Sequence, residues 1–362
     1  MKFKTAKATL HRRLCQACVF SILVSVAPLR AQDLQEKITV DDISRSYIVH
    51  LPKGYDAQQH YPVVILFHGR NQNADDMARL SHFNQLADKN GIVAVYPNSK
   101  QAEWNIGVRP EQPSTAMGPR GGRRGGWGYP GGGGGYPGGG GGYPGGGRSG
   151  GQNPDDDTKK KPEPADDVAF LGQMLDQLAI KYSVDPHRIY ATGLGDGGFM
   201  ALRAGCSLAD RVAAIAAVSA GLPKTMICLP SRPVPALYME GTEDPINPYT
   251  GGTYKPSRFP VLSAEDSAKA WAKFDRCAEK PAPGKLPASG KGKEIKTFTF
   301  SGCQADAQVI LYSIKGGGDT WPGGEQYMSE KEVGKTSDLN ANEIIWSFLS
   351  TQKIAGESSA GK

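Results

Sequence analysis

Histidine is scarce. The chain has six in 362 residues, at His11, His50, His60, His68, His82 and His187, and none beyond position 187. That excludes a histidine-ligated metal centre from the C-terminal half and leaves no imidazole late in the chain. Cysteine is also sparse. Outside residues 1–31 only Cys206, Cys228, Cys277 and Cys303 remain, with no CxxC spacing, so no zinc site, other metal or cofactor is expected. Long apolar runs are missing too. The one candidate, Leu14 to Pro28, is too short to span a bilayer comfortably, and no stable membrane insertion is expected. A surplus of charge is equally absent. The formal net charge is +6, but Lys2, Lys4, Lys7, Arg12, Arg13 and Arg30 all lie in the first 31 residues, which hold no acid. The remainder carries 36 basic and 36 acidic side chains. Such a balance offers phosphate no excess of cations and argues against a nucleic-acid partner.

With 39% apolar and 22% charged residues, the chain can build a sizeable core and is not disordered as a whole. Residues 1–31 pair a positive segment with a short apolar run and end in Ala31. They read as a cleavable signal peptide, which places the mature protein in a secreted or periplasmic location; a retained anchor is the other reading. Four cysteines in an exported chain imply two disulfides in one of three pairings, and the short loops Cys206–Cys228 and Cys277–Cys303 are the simplest.

Apolar periodicity supplies the elements. Arg45 to Leu51, Val63 to Phe67, Ile92 to Tyr96, Arg188 to Thr192, Val212 to Val218, Val234 to Met239 and Val309 to Ile314 read as strands. Helical spacing runs over Asp75 to Lys89, Asp166 to Tyr182 (Val168, Leu171, Leu175, Leu178 and Ile180 inward), Phe199 to Cys206, Ala264 to Phe274 and Ser337 to Leu349. Strands alternating with helices predict an α/β fold with a mainly parallel sheet covered on both faces, and a ligand site at the carboxyl ends of the strands. The core is assigned to residues 32–110 and 153–352. Residues 111–152 are a low-complexity insertion, with 21 glycines between Gly118 and Gly151 and Gly-Tyr-Pro recurring at Tyr129, Tyr136 and Tyr143. Glycine buries nothing and proline blocks strand pairing, so this segment is expected on the surface, as a tolerated insertion or an adhesive tract. Glu279 to Lys293 reads as a second exposed loop and residues 353–362 as a flexible tail.

Ile189 to Met200, IYATGLGDGGFM, joins a buried strand to a helix through a glycine-dense turn. This is the setting of a nucleophile elbow, G-x-Nuc-x-G. Gly193 and Gly197 occupy the flanking positions, and the middle one is Gly195. Around it stand Tyr61-Pro62 leading into LFHG at 66–69, Trp104-Asn105, Asp166-Asp167-Val168, Pro233-Val234-Pro235, GTEDPINPYTGG at 241–252 and GGGDTWPGG at 316–324. With these motifs in this order the chain resembles the secreted α/β-hydrolase esterases of the polyhydroxybutyrate depolymerase and feruloyl-esterase-like family, over roughly Ser44 to Trp346.

The resemblance implies an α/β-hydrolase fold, here a single domain interrupted by the glycine-rich insertion. It places the catalytic serine at Gly195, the acid at Asp244 and the base histidine at Asp319. It assigns the oxyanion amides to Arg70 and Asp196, and the cleft aromatics to Trp104 and Trp321; for both tryptophans core packing is an equal alternative. The acid is present, while serine and histidine are both replaced. His68 is expected to order its loop, and His187 to be a surface or packing residue. The Asp196 side chain is expected to point away from an incoming carbonyl. Without hydroxyl or base the acyl-enzyme route has no first step. The expectation is a catalytically impaired pseudo-esterase that binds an ester-, polyester- or polysaccharide-like ligand or a surface. The alternative is an active carboxylic-ester hydrolase with a non-standard nucleophile. A third reading has Asp244 and Asp319 close enough to raise a pKa or to hold a cation.

Overall fold

A computed structural model describes residues 31–108, 164–286 and 294–356. The expected signal peptide, glycine-rich insertion and tail end at 357–362 lie outside the described residues. In chain order the elements are β1 (Gln32–Val40), β2 (Ile43–Leu51), β3 (Tyr61–Phe67), α1 (Ala74–Ser81), α2 (Phe83–Asn90), β4 (Val93–Pro97), α3 (Asp167–Lys181), β5 (Val184–Leu194), α4 (Asp196–Ser207), β6 (Ala214–Val218) and β7 (Ala236–Gly241). There follow β8 (Gly252–Tyr254), β9 (Phe259–Val261), α5 (Ala264–Phe274), β10 (Ala282–Leu286), β11 (Ile295–Phe300), β12 (Val309–Ile314), α6 (Glu330–Val333) and α7 (Ala341–Leu349).

Ten strands form one sheet in the order β1-β2-β4-β3-β5-β6-β7-β12-β11-β10. The six from β4 to β12 are mutually parallel. On each side the next strand, β2 or β11, runs antiparallel to them, and the edge strands β1 and β10 pair antiparallel in turn with β2 and β11. The strand order and the helical crossovers make this an α/β-hydrolase fold.

Both faces of the parallel region are covered. Along β3, Val63, Ile65 and Phe67 enter one cluster with Phe170, Met174, Met200 and Trp271. Val64 and Leu66 enter the other with Met77, Leu80, Phe83, Trp321 and Ile345. The period of two in a strand with no polar residue is why its apolar run is unbroken.

Several expectations need correction. The helix read over Asp75 to Lys89 is two helices, parted by His82 in the left-handed region (φ 54°). Ser81 bends the chain there: its Oγ donates to the Met77 carbonyl (2.7 Å) and accepts from the Phe83 amide (3.3 Å). Ile180, expected inward, is 86% exposed, because it follows Leu178 by two residues and so faces away. The loop expected over Glu279 to Lys293 contains β10, an edge strand whose polar pattern conceals it. Of the two readings left open for Trp321, cleft wall or core packing, full burial fits the second. The Trp321 Nε1 donates to Asn342 Oδ1 (2.8 Å), and its loop is tied to α1 by the Glu325 amide donating to the Leu80 carbonyl (2.9 Å). The two disulfides are Cys206–Cys228 and Cys277–Cys303.

Trp321→Ala is expected to cost about 3–5 kcal/mol, the range for a large buried aromatic. The urea midpoint checks this, and a loss under about 1 kcal/mol contradicts the packing role.

Candidate functional site

The elbow is built by close approach. A Cβ on Gly197 would lie 2.1 Å from the Phe67 carbonyl oxygen, and one on Gly193 would lie 2.4 Å from the Gly197 carbonyl. Glycine at both lets α4 start directly against the end of β3. Gly195, between them, has φ 55° and ψ −115°, outside the regions open to ordinary residues. Its amide donates to the Val218 carbonyl (2.9 Å), fixing the turn to β6. A Cβ on Gly195 has ordinary room: its nearest neighbours are Asp319 Oδ1 at 3.4 Å and Oδ2 at 3.7 Å. The resemblance-assigned nucleophile and base positions therefore adjoin in space, with no hydroxyl and no imidazole. The Asp196 amide opens α4 and is among the donors a helix N-terminus leaves without intrahelical partners. Arg70 follows the His68-Gly69 turn at the end of β3, and its guanidinium contacts Glu103 and Ser257.

Asp319 is held by backbone. Its amide donates to the Val333 carbonyl (2.6 Å), and the adjacent Gly318 amide to the Lys335 carbonyl (2.9 Å). Oδ2 accepts from the Tyr327 hydroxyl (3.1 Å), Oδ1 is buried, and the Ser219 hydroxyl also bears on the carboxyl. The loop carrying Asp244 is tied to the Asp319 loop by the Glu243 amide donating to the Gly317 carbonyl (3.0 Å). Asp244 Oδ1 accepts from the amides of Ile246 (2.7 Å) and Asn247 (2.8 Å), and its Oδ2 has no partner among the described residues.

Two further acids complete the group. Glu240, which the sequence reading missed, is buried at the end of β7. It accepts from the Ala220 amide (3.0 Å) and Asn247 Nδ2 (3.2 Å). The signal for it was a carboxylate inside an otherwise apolar strand, ALYMEG. Asp196 does not lie idle: its Oδ1 accepts from the buried Tyr254 hydroxyl (2.6 Å), and Oδ2 is unpartnered among the described residues.

Burial dominates the electrostatics. It pushes Glu240 up to about 8, Asp244 to about 7 and Asp196 to about 6. Asp319 rises well above the carboxylate range, first by burial and then by the charge of Asp244. Like charges cannot both ionise cheaply in a dry site, so protons remain on the group at neutral pH. Among the described residues, no three His, Cys, Asp or Glu side chains are arranged to hold a metal ion.

Among the described residues, neither His68 nor His187 is placed to act as a base at the elbow. His68 is buried; its Nδ1 donates to the Gly69 carbonyl (2.7 Å) and its Nε2 accepts from the Ser99 amide (3.1 Å), so both nitrogens are committed to the loop. Burial lowers its pKa and keeps it neutral. His187 lies at the opposite end of β5, about 23 Å of strand away.

Beside the elbow lies a cavity of about 430 Å³, lined among others by Trp104, Phe199, Phe259, Glu103, Ser257 and Asp196. Trp104 is fixed by its Nε1 donating to the His68 carbonyl (2.9 Å) and by edge contact with Phe67. Trp321 does not line this cavity. No helix among the described residues is long and apolar enough to cross a membrane.

The raised carboxyls fix a sign for pH dependence. Each binds its proton more tightly in the folded chain than in the unfolded one, so stability falls as pH rises from about 4 towards 8. Urea midpoints should therefore fall steadily between pH 5 and 8. Asp319→Asn should reduce that slope, and a flat wild-type profile contradicts the coupled acids.

Residues 45–121 match the family described as Esterase PHB depolymerase. The chain is 24% identical over 326 residues to "Putative esterase NocK" of Nocardia uniformis subsp. tsuyamanensis, covering 86% of this chain and 81% of that one. It is 37% identical over 163 residues to "Feruloyl esterase B" of Piromyces equi, covering 42% of this chain and only 29% of that enzyme. Among solved structures, acetyl xylan esterase from Aspergillus awamori aligns with 79% of this chain and 94% of its own, at a TM-score of 0.48 and 12% identity. In sequence motifs and in strand topology, the chain is an α/β-hydrolase-fold protein similar to the PHB depolymerase and feruloyl esterases.

Proposed function

We propose that the protein is an exported pseudo-esterase. Its elbow cleft binds an ester-, polyester- or polysaccharide-like ligand without forming an acyl-enzyme. One observation carries the reading: at the elbow, glycine stands at the nucleophile position, and a buried carboxylate, Asp319, lies 3.4 Å from where its Cβ would be. An acyl-enzyme needs a nucleophile and a base that takes its proton, and this pair supplies neither.

In this reading Arg70 and Asp196 offer backbone amides to a ligand carbonyl, Asp244 is a retained acid without its imidazole, and Trp104 walls the cleft. Export rests on residues 1–31 acting as a cleaved signal peptide. Val108 and Pro164, between which the glycine-rich insertion stands in the sequence, both line the cavity. The names of the relatives, an esterase and a feruloyl esterase, support the ligand class.

Methyl ferulate should bind the mature protein in calorimetric titration, while a fluorophosphonate leaves no covalent adduct by mass spectrometry; an adduct overturns the reading. The double variant Gly195→Ser with Asp319→His restores nucleophile and base, and should gain esterase rate by about a hundredfold or more, the scale of a placed general base.

A further inference from the structure

The side chain of Arg70 finds its partners on two other segments. Its Nη1 donates to Ser257 Oγ (2.8 Å), on the hairpin between β8 and β9, and to Glu103 Oε2, on the loop after β4. The Ser257 hydroxyl donates to the same Glu103 oxygen. One carboxylate oxygen therefore takes a guanidinium N–H and a hydroxyl at once. This is a receptor for a carboxylate, filled by the chain's own. We infer that its ligand is a free aromatic carboxylic acid, whose carboxylate replaces that of Glu103 while its ring lies against Trp104, Phe199 and Phe259. The inference rests on the cleft reading above and narrows it: the cleft selects an acid over its ester.

Glu103 and Ser257 both line the cavity beside the elbow. The side chains of Arg70 and Glu103 are 30% and 40% exposed, so a solute can reach the pair, and an ion pair this open to water is weak enough to exchange partners. Both bonds from Arg70 leave its Nη1. The two parallel bonds with which a guanidinium grips a carboxylate most strongly are thus not made to Glu103. A ligand carboxylate is free to turn and make them, whereas that of Glu103 is tethered to its loop.

Charge in the cavity favours an anion. Of the other acids in its lining, Asp167 is paired with Arg45 (2.5 Å), and Asp196 accepts from the Tyr254 hydroxyl. Lys100 also lines the cavity, and Lys255 and Arg258 are exposed on the hairpin that carries Ser257. The three rings offer a flat body fixed walls: Phe199 stands edge-on to Phe259 with centroids 5.2 Å apart, and Trp104 is held by the His68 carbonyl. A volume of about 430 Å³ lies within the range of small-molecule sites, roughly 300–1,000 Å³. Exchange of one carboxylate for another leaves the charge around Arg70 as it was. An ester has no charge to give, so displacing Glu103 with one replaces a charge-assisted bond by a weaker neutral one.

The test is calorimetric titration of the mature protein at pH 7 with ferulate and with methyl ferulate, which share a ring and differ at the carboxyl. Ferulate should bind at least tenfold more tightly. That preference should widen at least threefold in Glu103→Gln, which removes the competing charge. It should narrow in Ser257→Ala and vanish in Arg70→Gln. Equal affinities in the wild type overturn the inference, as does an undiminished preference in folded Arg70→Gln. The wild-type ratio decides even if a variant fails to fold. Methyl ferulate binding as tight as that of ferulate, or tighter, sinks the carboxylate receptor alone. A protein that binds neither compound, or that takes a fluorophosphonate adduct, sinks the cleft reading and this inference with it.

Discussion

The contact on which the site depends is the approach of the β5–α4 turn to the end of β3, close enough that a Cβ at Gly197 would overlap the Phe67 carbonyl. That approach brings the start of α4 to the carboxyl ends of the central strands, where a parallel sheet opens its ligand crevice. It also separates the roles of neighbouring glycines. Those at 193 and 197 are demanded by packing, whereas the one at 195 has space for a side chain and is set apart by its dihedral angles. A non-glycine residue held there costs on the order of 1–3 kcal/mol of backbone strain. A chain with glycine at this position keeps the turn and is freed from the strain, so loss of a nucleophile need not harm the fold.

The same economy does not extend to the acids. The resemblance assigns Asp319 to the position of an imidazole and Asp244 to that of the carboxylate that orients it. An Asp–His pair is complementary in charge, but an Asp–Asp pair is not, and here Glu240 and Asp196 add to the repulsion. Protons retained on the buried acids offset this repulsion, and Lys255 bears on Asp244. Backbone amides at Asp244 and the tyrosine hydroxyls at Asp319 and Asp196 meet part of the hydrogen-bonding need. Two carboxyl oxygens are left over among the described residues, one each on Asp196 and Asp244.

Much of this was legible in the sequence where burial writes a clear pattern. Val63 to Phe67 could only be a doubly covered strand, and the glycines of 193–198 marked a tight turn into a helix. Legibility failed where burial is partial. β1 carries its inward residues Leu34 and Ile38 among charged neighbours at a spacing of four, which strand and helix share, and β10 lies at the outer edge of the sheet. Ile180 was misplaced for a related reason, and Trp321 was left between cleft and core: a residue's type gives its preference for burial, but its direction depends on partners distant in the chain. Gly195, Asp244 and Asp319 stand in local motifs that carry the resemblance. Glu240, Tyr254 and Tyr327 do not, since they reach the site from β7, β8 and the loop before α6 through contacts with no local signature.

The disulfide Cys206–Cys228 lies at the far end of α4 from the elbow, about 15 Å along the helix axis. It clips the last turn of that helix to a loop 22 residues on, a closure worth roughly 3 kcal/mol in the unfolded-chain picture. A rigid helix anchored at its tail cannot slide along its own axis, so the amides at its head keep their depth in the crevice. In a thiol-rich medium that anchor would be cut, and the loosening would be felt at the opposite tip of the rod.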